Sequence, residues 1–151
     1  MKLYIVYFRT FQDSPDVEIR CATTNEALAK DEYKKAKKDK REWMKDVSED
    51  SGDWAEACMK SFNIKKERKP GDKIFVLVEN VWCECVDTTI KPFIYQEDAE
   101  GQWKTSKENL LNEFPDLTPF NEYESIDEAT HLEDPSVMVD VYLYIEEVTL
   151  K

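Results

Sequence analysis

A chain of 151 residues with 41% hydrophobic and 12% aromatic residues is long enough to bury about 70% of its unfolded surface, which excludes a disordered tail. It carries 33 acidic residues against 21 basic ones, a net charge of −12. Such a field repels nucleic acid as a direct ligand and favours basic protein surfaces. The imbalance lies in one half: residues 1–70 hold 16 Lys+Arg and 14 Asp+Glu, whereas residues 71–151 hold 5 and 19.

The opening segment alternates as a strand, with Leu3, Ile5 and Tyr7 on one face and Tyr4, Val6 and Phe8 on the other. Apolar residues on both faces predict a central strand. The run is too short for the apolar core of a signal peptide and lacks a small-residue cleavage site. Asp13-Ser14-Pro15-Asp16 supplies a turn, and Val17 to Ala22 a return strand. Thr23-Thr24-Asn25-Glu26 then reads as a capping box, with Thr23 as the cap and Glu26 reaching back. A long helix follows, lined on one face by Ala29, Tyr33, Ala36, Trp43 and Val47 and on another by Lys30, Lys34, Lys37, Arg41 and Lys45. Gly52 punctuates the chain shortly afterwards, and the helical spacing of Trp54, Ala57, Cys58 and Phe62 predicts a short second helix before Pro70-Gly71.

The second half restarts the first: Lys73-Ile74-Phe75-Val76-Leu77-Val78 matches Lys2-Leu3-Tyr4-Ile5-Val6-Tyr7 in pattern. Another strand, Ile90 to Tyr95, precedes a helical face of Ala99, Trp103, Leu110 and Phe114. Gly101 leaves a second reading open, a turn at Glu100-Gly101 joining two strands, since glycine costs a helix about 1 kcal/mol relative to alanine. The chain closes on a strand in which Val137, Val139, Val141, Leu143 and Ile145 alternate with Met138, Asp140, Tyr142 and Tyr144. The expected fold is α+β, a mainly antiparallel sheet with helices on one face and a C-terminal strand. It is read as one acidic domain over residues 1–151, with a hairpin-helix pseudo-repeat of residues 1–70 and 71–151.

Several chemistries are excluded by what is missing. Three isolated glycines cannot build a phosphate-cradling loop, which needs converging backbone amides. One histidine, His131, excludes paired-histidine zinc sites and two-histidine phosphodiesterase chemistry. Pro15-Asp16 with Glu32-Tyr33-Lys34 loosely resembles the proline-aspartate and glutamate-x-lysine pattern of many nucleases. The second element falls on the predicted helix, however, where that family requires a strand. Residues Glu49 to Asp53 lack the alternating ligands of a calcium loop. Cys83-Glu84-Cys85 would place two thiols on one face of a strand, a spacing that fits buried packing better than zinc. The lysines of the long helix are diluted by Glu26, Asp31, Glu32, Asp39 and Glu42 and read as a solvated face. Tyr142 and Tyr144, beside Tyr4 and Phe8, read as core cover rather than a base-stacking platform, given the net charge.

No catalytic residue, cofactor or metal emerges, and a non-enzymatic cytoplasmic protein is expected. Four cysteines in a chain with an adequate core fit a reducing compartment, and the longest apolar run, Ile74 to Val78, is far short of a bilayer span. The feature least explained by folding is the stretch from Glu97 to Glu147, where 15 carboxylates face only Lys104 and Lys107. Like charges at that density weaken a compact state. They point to solubility, to an acidic tail-like surface, or to a protein-binding module docking on a basic groove, as an inhibitor or nucleic-acid mimic of the kind phages and mobile elements use; the last is the leading expectation. Glu97, Asp98, Glu100, Glu122, Glu124, Asp127, Glu128, Glu133 and Asp134 are the expected contacts. The alternatives are a non-catalytic structural or regulatory domain that dimerises through an exposed strand, and a small-ligand or nucleotide-sequestering protein.

Overall fold

A computed structural model describes residues 1–119, 130–134 and 138–151. The fold is α+β with antiparallel sheets, and the strands form two sheets rather than one. The chain divides into two compact units, Met1–Asp72 with Thr149–Lys151, and Lys73–Val148.

In the first unit β1 (Lys2–Gln12) and β2 (Ser14–Thr23) form the expected hairpin. The chain reverses at Asp13, whose φ of 65° is a left-handed conformation that aspartate tolerates better than most residues. α1 (Glu26–Lys45) buries Ala29 and Ala36 against Val6, Phe8, Cys21, Ala55 and Ala57, with Tyr4, Tyr33, Trp43 and Met59 packed at the margin. Its cap is Asn25 instead of Thr23: the Asn25 side chain accepts from the amides of Ala27 at 3.0 Å and Leu28 at 3.2 Å. The Thr23 hydroxyl is engaged elsewhere, donating to the Lys151 backbone oxygen at 2.7 Å and accepting from the Asn25 amide at 3.0 Å. Glu26, the other half of the expected box, pairs with Lys30 at 2.7 Å.

The short helix expected around Trp54 to Phe62 is instead a strand, β3 (Trp54–Asn63). It runs antiparallel to β1, from Trp54 opposite Phe11 to Asn63 opposite Lys2. Ala55 and Ala57 alternate into the core under α1, and a continuous ladder along β1 outweighs the weak local preference of an alanine-, cysteine- and methionine-containing segment. The sheet order is β2-β1-β3, so the opening strand is central.

In the second unit β4 (Lys73–Trp82) and β5 (Val86–Phe93) pair from Phe75 opposite Phe93 to Trp82 opposite Val86. α2 (Gln96–Glu113) is one helix that runs through Gly101, which decides between the two readings of that segment. Ala99, Trp103 and Leu110 are buried as its spacing predicts. Trp103 packs in a core with Leu77, Leu110, Leu132, Val141 and Leu143, and its indole N–H donates to the Leu143 carbonyl at 3.3 Å. β6 (Thr118–Pro119), β7 (Thr130–Asp134) and β8 (Val139–Thr149) complete the sheet in the order β5-β4-β8-β7-β6. Val139, Val141 and Leu143 are fully buried, as the alternation requires. Val137 lies outside the described residues, and Met138 is 79% exposed with φ 53° just before the strand.

Each unit therefore places a third strand on the free side of the first strand of its hairpin: β3 beside β1, and β8 beside β4. β1 and β8 are interior in their sheets. The two apolar faces of β1 fit that interior place, and among the described strands the outer ones are β2, β3, β5 and β6.

Candidate partner-binding surface

Once Ala99, Trp103, Ser106 and Leu110 of α2 turn towards the sheet, the 3.6-residue period carries Glu97, Asp98, Lys104, Glu108 and Glu113 to the exposed side, with exposed Asp116 just beyond the helix. Glu97 and Asp98 stand in the first turn, where the helix dipole favours anions. Glu113 stands in the last turn, where the dipole opposes a negative charge, and no basic residue shares that turn. Half-buried Glu79 on β4 feels the result. Burial, and then the negative charge of Glu113, push its carboxyl above the usual range.

α1 handles charge differently. Lys30 meets Glu26 at 2.7 Å, Lys35 meets Asp31 at 3.2 Å and Glu32 at 2.9 Å, and Lys45 meets Glu42 at 2.9 Å. Of the basic stripe, Lys30 and Lys45 are paired within the helix and Lys37 lies over the Tyr33 ring, on a face exposed to solvent. On α2, among the described residues, no carboxylate has an ion-pair partner. The whole second unit holds 18 carboxylates and 4 lysines.

Of the contacts expected from the sequence, Glu97 and Asp98 are exposed together on the first turn of α2. Glu100 is half-buried and accepts from the Gln96 side-chain amide at 2.9 Å. Glu133 is half-buried on β7, opposite Asp140 of β8 and Thr118 of β6. Asp134, opposite Val139, is 4% exposed and presents no free carboxylate at the surface. Glu122, Glu124, Asp127 and Glu128 lie outside the described residues. Glu79, Glu108, Glu113 and Asp116 join the expected contacts, although no local motif in the sequence sets them apart from the other carboxylates of the second half. The helical phase set by Trp103 and Leu110 was the signal that places Glu108 and Glu113 outward.

Other constellations offer less chemistry. The nuclease-like residues are dispersed: Asp16 lies on β2, where its side chain accepts from the Val17 amide at 2.9 Å, and Glu32 pairs with Lys35. An open depression of about 360 Å³ is lined by Gln12, Trp43, Asp46, Ser48, Ser51 and Asp53. Its serines are spent on their own turn, the Ser51 hydroxyl donating to the Ser48 carbonyl at 2.8 Å and accepting from the Asp53 amide at 3.2 Å. Among the described residues no three His, Cys, Asp or Glu side chains gather as a metal site, and no helix is long and apolar enough to cross a membrane.

The cysteines separate into two kinds. Burial pushes the Cys21 thiol up. Cys58 is pushed up by burial and by Glu56, opposite a Tyr7 hydroxyl raised far above its usual range by its own burial and by Cys58. Cys83 and Cys85, expected to pack on a strand face, are exposed in the turn between β4 and β5. The ladder ends at the Trp82–Val86 pair, so the turn takes both residues out of the sheet. No protein-family model matches this chain, and neither a curated protein nor a solved structure matches it.

Proposed function

We propose that the acidic second unit is a docking surface for a basic protein, with carboxylates occupying a groove that otherwise accepts nucleic-acid phosphates. The observation that carries this reading is the outward side of α2, whose carboxylates have no ion-pair partners among the described residues and end at the unfavourable pole of the helix dipole. Repulsion of this kind lowers the stability of the free protein. A groove lined with lysine and arginine relieves it on binding, and complementary fields speed the encounter.

The test is capture of partners on the immobilised chain, followed by competition between the chain and nucleic acid for the captured protein. Two variants accompany it: one neutralises α2 with Glu97→Gln, Asp98→Asn, Glu108→Gln and Glu113→Gln, and the other reverses Glu122, Glu124, Asp127 and Glu128 to lysine. Binding should compete with nucleic acid and weaken steeply with salt, as the screening length falls from about 10 Å at 0.1 M to about 3 Å at 1 M. The reversed variant should lose about 100-fold or more in affinity, because like charges juxtaposed at an interface cost several kcal/mol. Equal binding by both variants at every salt concentration overturns the reading and leaves the acidity as a solubility device.

A further inference from the structure

The four cysteines are all free thiols, yet only Cys83 and Cys85 are exposed. They flank a single residue, Glu84, at the tip of the β4–β5 hairpin, immediately beyond the last ladder pair, Trp82 and Val86. The Cys83 amide donates to the Cys85 carbonyl at 3.2 Å, so the turn folds the two residues back onto one another. Residues two apart in one chain stand at most about 7 Å apart between Cα atoms, and a turn that folds them back brings them nearer, towards the roughly 4.4–6.8 Å that a disulfide spans. We propose that Cys83 and Cys85 form an exchangeable dithiol that closes to an intramolecular disulfide by reaction with a small-molecule disulfide of the glutathione type.

The chemistry balances in two exchanges. One cysteine, as its thiolate, attacks a sulfur of the small disulfide; that S–S bond breaks, a mixed disulfide forms, and the departing thiolate takes up a proton. The second cysteine then loses its proton and attacks the protein sulfur of the mixed disulfide, releasing the second small thiol. The protein gives up two electrons and two protons, and one small disulfide becomes two thiols. An exposed bridge of this kind is open to reduction by the reverse steps, which makes it a reversible site and not a structural staple. Cys21 is buried and Cys58 half-buried, and desolvation raises both thiols, which disfavours their thiolates. The proposal is independent of the acidic docking surface.

The experiment equilibrates the reduced protein with mixtures of oxidised and reduced glutathione, quenches with acid, alkylates free thiols after unfolding, and maps the products by mass spectrometry. The wild type should lose two alkylatable thiols and the mass of two hydrogen atoms, both within the peptide containing residues 83–85, and added dithiothreitol should restore them. Cys83→Ser and Cys85→Ser, lacking the resolving partner, should accumulate a glutathione adduct on the remaining turn cysteine. The fluorescence of neighbouring Trp82 provides a second reading of ring closure in the folded wild type. Two glutathione adducts on the wild-type turn with no internal bridge, or a turn that stays reduced in all three proteins, overturns the proposal.

Discussion

In the first unit α1 approaches its sheet through Ala29 and Ala36 and answers most of its own carboxylates with lysines one turn away. In the second, α2 is anchored by Trp103 and Leu110 and leaves its outward carboxylates without partners among the described residues. Both helices sit beside a hairpin whose first strand gains a further neighbour on its open side. One arrangement of strands thus supports a helix laid close with small side chains, and a helix held by a large one. The difference teaches that backbone plan and surface electrostatics are separable: the first constrains which residues face inward, and the second is left to whatever the surface meets.

The largest expected effect tests the anchor. Trp103→Ala removes a buried ring together with its bond to the Leu143 carbonyl, and should destabilise the protein by about 3–5 kcal/mol. Urea unfolding measures the loss, and hydrogen exchange should show α2 amides losing protection first. A change below about 1 kcal/mol would mean that Leu110 and its neighbours hold the helix without the indole.

A smaller effect tests the close approach of α1. Ala36 is 1% exposed, so Ala36→Leu forces side chains into a filled interface and should cost about 1–3 kcal/mol. A stabilised variant in the same unfolding assay would show that the alanine seam leaves a void at this position. Next comes the cap. Asn25→Ala should cost about 1 kcal/mol by leaving two first-turn amides without their acceptor, whereas Thr23→Val probes the separate bond to Lys151. If Thr23 were the true cap, exchange at the first turn of α1 would accelerate with the threonine variant and not with the asparagine one.

The smallest effect concerns α2's last turn. The carboxyl of Glu79 is raised in the folded state, so folding binds its proton more tightly than the unfolded chain does. Its unfavourable contribution is absent below the ordinary carboxylate pKa and grows as pH rises through the raised folded value, so stability should fall across that window. Glu113→Lys removes the nearby negative charge and complements the dipole. The variant should gain a few tenths of a kcal/mol at neutral pH and show a shallower decline, measured by thermal unfolding at a series of pH values. An unchanged slope would assign the shift of Glu79 to burial alone.

Much of this fold was legible because periodicity is a local property. Val139, Val141 and Leu143 alternate into the core, and Ala99, Trp103 and Leu110 share a helical face, whatever lies elsewhere in the chain. The charge of the second half was equally plain, and with the phase of α2 it located exposed Glu97 and Asp98. The rest depended on partners far along the chain. Trp54 to Phe62 carries apolar residues compatible with either period, and only pairing along β1 makes it a strand. Asp134 reads as one more acidic residue until its strand pairs with β8 and buries it.

The sequence by itself determined the α+β class, the inward faces of both helices and the acidity of the second half, because side-chain period and charge are set by neighbours within a few residues. Only the tertiary structure decided that β1 and β8 are interior strands, that Asn25 caps α1 while Thr23 holds Lys151, and that Cys83 and Cys85 are exposed at a hairpin tip. Each of these turns on which backbone or side-chain groups find partners 20 or more residues away, or on where a strand's ladder stops, as with Trp82 and Val86. Hydrogen-bond donors and acceptors take the best partners that the whole fold offers, and those partners are not written in the local pattern.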